Sequence, residues 1–212
     1  VGVCCRDGVV LAAEKLALSK MMEPGSHRRT HRVDRHAGAA VAGLAADGRA
    51  VVDRAQAEAS GYKAFYGARA PGRVLAERLA SYVHVFNLYW YVRPFGVVTL
   101  LATYDAEEGP ALWVVEPSGA ARRHRGAAVG KGRQTARNEL EKLDYTALTC
   151  REAVAALARA LHAAHDEEKG FELEMAWVCD ESGREFGRVP AELVAAADAA
   201  ARAALEADDM DD

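Results

Sequence analysis

Cysteine is scarce in this chain: four residues among 212, at positions 4, 5, 150 and 179, with no C-x-x-C pair. That excludes the disulfide framework of a small secreted domain and the paired-thiol spacing of common zinc sites. Cys4 and Cys5 are adjacent, so on a strand they point to opposite sides and suit neither a shared metal nor a mutual disulfide. All four read as reduced, mostly buried thiols of an intracellular protein. Long apolar runs are absent as well. None approaches the roughly 18 residues of a membrane span, and the N-terminus has no signal-peptide pattern. Nor does one sign of charge dominate. A formal net charge of −4 gives no overall pull toward nucleic acid or an anionic membrane, so neither is an expected partner.

What is there belongs to a soluble globular domain: half the residues are hydrophobic and 27% are charged. The first 46 residues read as strands. VGVCC and VVLAA flank Arg6-Asp7-Gly8, whose D-G dipeptide favours a tight hairpin. LALS follows, then a polar loop MEPGSHRR, then a small-residue strand from Ala39 to Ala45. Asp47 is placed to cap a helix whose apolar stripe is Val51, Val52, Ala55, Tyr62 and Phe65. Gly67 to Gly72 break it. The spacing of Val74, Leu75, Leu79, Val83, Phe86 and Trp90 predicts a second helix from about Arg73 to Tyr91, closed by Pro94 and Gly96.

VVTLLATY is an almost continuous apolar run, the mark of a strand covered on both faces. ALWVVE and ARRHR are strands on either side of the turn Pro117-Ser118-Gly119. Helices are expected at about 132–143 and 150–168, the second opened by the capping box Thr149-x-x-Glu152. FELEMAWVC is a strand, Asp180 to Gly183 a turn, and Pro190 sits at the first turn of a last, alanine-heavy helix. Strands and helix pairs in this order do not give the β-α-β alternation of a parallel sheet. They suit an α+β domain, a four-layer αββα sandwich of two sheets covered by helices on both outer faces.

The motifs mostly exclude chemistry. GAAVGKGRQT, residues 126–135, resembles a phosphate loop, but only three residues separate Gly126 from Gly130-Lys131, and Gly132 stands where a magnesium-binding hydroxyl is needed. Gly130 and Gly132 instead let the chain turn from a sheet edge into a helix. His27, His31 and His36 lie in SHRRTHRVDRH among arginines, which argues against zinc and for a solvated basic hairpin or a cradle for a carboxylate. His162 and His165, one helical turn apart, lack a metal-site motif and read as structural. There is no G-x-S-x-G elbow, and Cys150 at a helix start reads as inert packing. Tyr82, Phe86, Tyr89, Trp90 and Tyr91 read as core or subunit contact. No metal and no cofactor is expected.

VDRHAGAAVAGLAADGR (33–49), YVRPFG (91–96), EPSG (116–119) and AAVGKGRQTARNELEKL (127–143) together resemble the alpha-type subunits of the 20S proteasome, in order over nearly the whole chain. DGVVLAAEKLALSK, YVHVFNLYWYVRPFG, FELEMAWV and the acidic end point to one alpha type within that family. The resemblance implies the αββα sandwich of the N-terminal-nucleophile hydrolases and a barrel of stacked seven-membered rings. In it, alpha subunits form the outer rings, gate substrate entry and dock 19S-type or other activators. Neighbouring alpha subunits and the beta ring are the implied partners, the cytoplasm and nucleus the implied location.

Catalysis in that family belongs to beta-type subunits with a terminal threonine. Here Val1 opens the sequence and has no nucleophilic side-chain atom, while Glu14 and Arg29 lie roughly where the beta family's catalytic aspartate and lysine align. No intrinsic peptidase activity is expected; an active beta-type threonine peptidase, exposed by processing, is the alternative. The resemblance also places Arg29, Gly43 and Leu44 in the pocket that receives activator tails, with Arg29 where the family usually has lysine. It implies a single domain over 1–207, entered directly at VGVCC without the family's N-terminal extension and helix. An acidic tail, 208–212, is too polar to fold alone and holds no residue that could be phosphorylated.

Overall fold

A computed structural model of the chain describes residues 1–16, 21–23, 26–165 and 170–211. In chain order its elements are β1 (Gly2–Cys5), β2 (Gly8–Leu16), β3 (Thr30–Asp34), β4 (Ala37–Gly43), α1 (Ala45–Tyr66), α2 (Gly72–Val85), β5 (Val97–Asp105), β6 (Gly109–Val115), β7 (Ala121–His124), β8 (Gly126–Ala127), α3 (Arg133–Leu140), α4 (Cys150–Ala164), β9 (Phe171–Cys179), β10 (Gly187–Arg188) and α5 (Ala191–Asp211). Among the described residues, ten strands form two antiparallel five-stranded sheets, ordered β10-β9-β2-β1-β8 and β3-β4-β5-β6-β7.

Period-two alternation divides the core into three layers. Val9 and Leu11 of β2 meet Leu100 and Ala102 of β5 between the sheets, together with Cys4 and Phe186. Val3, Cys5, Val10 and Ala12 face the other way, onto Val154, Leu157 and Leu161 of α4. On the far side, Leu101 and Trp113 meet Val51, Leu75 and Leu79 of α1 and α2. The expected αββα sandwich is therefore present, and Cys4 and Cys5 do part to opposite faces.

The hairpin closes with Cys5 opposite Gly8, as Asp7-Gly8 suggests. Thr149 caps α4: its side chain accepts the Glu152 amide, and Glu152 returns a carboxylate to the Thr149 amide at 2.9 Å. Gly130 takes φ 113° on the way from β8 to α3, and a Cβ at Gly132 would press against the Ala164 carbonyl at 2.6 Å, so the glycine pair is needed for the turn.

Several boundaries differ from expectation. β3 falls in the arginine-dense stretch read as loop and hairpin; it is an edge strand, with only Val33 and Thr30 buried, so it lacks an apolar pattern. β4 starts at Ala37 and ends at Gly43, because the helix begins at Ala45. α2 stops at Val85 rather than Tyr91. Asn87 there donates to the Val83 carbonyl at 3.3 Å and to the Pro117 carbonyl at 2.9 Å, so a side chain takes over at the helix end. Trp90 is consequently 94% exposed, not part of a helical stripe, and Phe65 is 81% exposed. α3 ends at Leu140. The two-residue strands β8 and β10 are too short to leave a periodic signal. α5 runs without a break to Asp211, so the backbone of the expected unfolded tail is helical through 208–211. Ala17 to Ser19 of the LALS segment, Pro24 and Gly25 of the polar loop, and the expected end of the 150–168 helix lie outside the described residues.

Candidate functional site

Gly43 ends β4 with φ 139°, where an added Cβ would overlap the Gly96 carbonyl, so only glycine lets the two segments meet. The next amide, of Leu44, donates to that carbonyl at 2.9 Å. Leu44 is the N-cap of α1 but offers no capping side chain, and it stands more than half exposed. Asp47, expected to cap this helix, does not. It lies inside the first turn and reaches across to Arg93 and to the Gly96 amide at 2.8 Å. Hydrogen bonds from Arg93 first, and from Gly96 second, hold the Asp47 carboxyl down at about 2.

Arg29 precedes β3. Its amide donates to both carboxylate oxygens of Glu174, at 3.2 and 3.3 Å, and the Thr30 amide joins at 2.8 Å, with the Thr30 hydroxyl on the same carboxylate. Glu174 belongs to β9 of the other sheet and lies 3.9 Å from Lys15. The Arg29 carbonyl accepts the Val41 amide at 3.2 Å. Its backbone is thus fixed by both sheets, while the guanidinium Nε is buried with no partner among the described hydrogen bonds.

Arg29, Gly43 and Leu44 line one cavity of about 500 Å3 between the β3–β4 edge and α1. Arg28 and Arg49 join them, against a single carboxylate, Asp53. His31 on the same wall has its pKa lowered, mainly by burial, which favours its neutral form at neutral pH. The N-terminal end of α1 opens here and adds the positive end of its dipole. The arrangement suits a carboxylate. All three residues predicted from the sequence are brought together; Arg28, Arg49 and Asp53 were missed as members. Arg49 and Asp53 are four apart on α1, a spacing that puts both on one face, but nothing in the sequence says that this face meets β3.

A second cavity, of about 590 Å3, is lined by Val1, Glu14, Arg29, Lys131 and His165. The two positions aligned with the beta-type catalytic pair therefore do share a cavity. Glu14, however, is hydrogen-bonded to His165 Nδ1 at 2.8 Å, and that imidazole packs on Phe171. His162 pairs with Asp198 at 2.7 Å and joins α4 to α5, the structural role expected of it. His36 is a correction: it is fully buried, with Nε2 at 2.7 Å from the Ala70 carbonyl, and is no part of a solvated basic hairpin. Tyr82 and Phe86 pack on the α1–α2 core, whereas Tyr89, Trp90 and Tyr91 are exposed. Among the described residues no helix is long and apolar enough to cross a membrane.

Two facing antiparallel sheets between helix layers, with a glycine-hinged junction of strand and helix beside a basic cavity, define a class that comparison identifies. A family model described as "Proteasome subunit" matches residues 1–178, and the chain belongs to that family. Among its relatives, the protein named "Proteasome subunit alpha type-3" of Spinacia oleracea is 54% identical over all of this chain and 85% of its own length. The protein of that name in Arabidopsis thaliana is 53% identical over the same shares. "Probable proteasome subunit alpha type-7" of Schizosaccharomyces pombe is 47% identical over all of this chain and 84% of its own. The stretches that set one alpha type apart in the sequence agree with the type-3 names.

Proposed function

We propose that this chain is a non-catalytic structural subunit of the alpha ring of a 20S proteasome core particle, working in ubiquitin-dependent and other intracellular protein degradation. It stands at the seventh alpha position, contacts neighbouring alpha subunits and the beta ring, and helps gate substrate entry. Its location is the cytoplasm and nucleus. The observation that carries the finer part of this reading is the meeting of Arg29, Gly43 and Leu44 in one cavity rich in guanidinium groups. There the C-terminal carboxylate of an activator tail, 19S-type or other, finds a planar fork able to hold both oxygens.

The test is the affinity of assembled particles for an activator-tail peptide with a free carboxylate. Losing a charged hydrogen-bond partner costs about 1.5–3 kcal/mol, so Arg29→Ala weakens binding by about 10- to 100-fold. A C-terminally amidated peptide binds weakly to both particles. Unchanged affinity in Arg29→Ala removes the docking role. The beta-type threonine peptidase is the less supported reading, since the relatives carry alpha names and Glu14 is occupied by His165. Labelling of this chain by a threonine-directed covalent inhibitor would reverse that order.

A further inference from the structure

Away from the cleft, the β1–β2 turn gathers ligand atoms that neither cavity uses. Register places Cys5 opposite Gly8, and Gly8 opposite Cys179, so these three residues form a row across β1, β2 and β9. Side chains in such a row share a face, and both cysteines belong to the core layer under α4. Gly8 puts nothing between them; a Cβ there would overlap Cys179. Cys150, the first residue of α4, is buried in the same core layer. Asp7 in the turn accepts the Cys150 amide at 2.8 Å. The sulfurs of Cys5 and Cys150 and a carboxylate oxygen of Asp7 lie within 4.8 Å of one another.

We infer that Cys5, Asp7 and Cys150 form a binding site for a thiophilic divalent cation of the zinc class. Zinc takes sulfur at about 2.3 Å and carboxylate oxygen at about 2.0–2.2 Å, so the three atoms need draw together by about 1 Å or less. Two soft thiolates with one carboxylate favour zinc over magnesium or calcium. Asp7 is half-buried, which gives the ion a way in and leaves the fourth coordination position to water on that side. Binding releases one proton from each of the two thiols. The positive end of α4 offsets the negative charge gathered at its first residue. Cys179 lies in the same buried layer and is not among the three grouped ligands. The Asp180 amide on the Asp7 carbonyl at 2.9 Å, and the Arg6 amide on the Leu148 carbonyl at 3.1 Å, pin the turn that carries the ligands. No C-x-x-C spacing announces such a site, because its ligands come from a hairpin and a helix start far along the chain.

Cobalt(II) is the probe. The reduced 212-residue chain, titrated without oxygen, takes up one equivalent with a thiolate charge-transfer band and the intense visible bands of a tetrahedral site. One equivalent of Zn2+ bleaches them. Cys5→Ser and Cys150→Ser abolish the bands, whereas Cys4→Ala on the opposite face of β1 and Cys179→Ala keep them. Absence of the bands in a wild-type chain folded by circular dichroism, or their persistence in both Cys5→Ser and Cys150→Ser, overturns the assignment. Where the isolated chain does not fold, elemental analysis of assembled particles decides: Cys5→Ser lowers zinc by one per copy relative to Cys4→Ala, and equal zinc contents overturn the site.

Discussion

Asp47 grips Arg93 through both of its carboxylate oxygens, at 2.7 and 2.8 Å, and takes the Gly96 amide with one of them. One carboxylate thereby ties the first turn of α1 to the segment that positions Gly43 and Leu44.

That tie makes stability depend on acid. The Asp47 carboxyl falls from 3.8 to about 2 on folding. A depressed carboxylate contributes fully above its unfolded value and loses that contribution as pH falls through its folded one. The urea midpoint of the wild type therefore drops between about pH 4 and pH 2. Asp47→Asn has a lower midpoint at pH 7 and a flatter profile over that window. Equal slopes for the two proteins contradict the assignment of this acid sensitivity to Asp47.

Gly38 on β4 faces the Phe186 ring between the sheets, and an added methyl would overlap it. Gly38→Ala is expected to destabilise the fold by about 1–3 kcal/mol through overpacking. Phe186→Leu in the same chain should recover part of the loss. A double-mutant cycle in urea measures the coupling, and strict additivity would remove the contact as its cause.

At the head of α4, Thr149→Ala removes a cap that satisfies the Glu152 amide. The expected cost is about 0.5–2 kcal/mol. Thr149→Ser, which keeps the hydroxyl, recovers most of it. Hydrogen exchange of the Glu152 amide reports the change locally.

The cleft makes its own electrostatic prediction. Arg49→Glu reverses one of its three guanidinium charges and weakens a carboxylate-terminated tail peptide in assembled particles, while added salt narrows the gap between variant and wild type. Peptide titrations at two ionic strengths check both parts.

Much of the fold was legible because buried strands and helices carry periodic patterns. VVTLLATY and FELEMAWVC declare themselves, and Thr149-x-x-Glu152 marks its helix to the residue. β3 was hidden because an edge strand needs few apolar side chains, and THRVD has one. The end of α2 was misplaced because Phe86 and Trp90 continue the helical spacing, while Asn87 ends the helix through a contact with Pro117 that only the folded chain supplies. The resemblance singles out Arg29, Gly43 and Leu44, and all three line one cavity. Arg49 and Asp53 are not singled out, because membership of a cavity depends on packing between elements rather than on local pattern. His36 was misjudged for the same reason: its arginine-rich neighbours are exposed, but its own ring turns inward to Ala70.

The pairing of β2 with β9 sets a timetable for biosynthesis. Strands β3 to β7 each lie beside their neighbour in sequence, so that sheet can close while the ribosome is still at work. The other sheet must wait, since Leu16 finds its partner only at Phe171. At about 5–20 residues per second, that is a delay on the order of 10–30 s. For that interval the nascent N-terminal hairpin has an unpaired strand edge on offer, and a chaperone that shields it would protect the chain when it is most open to misassembly.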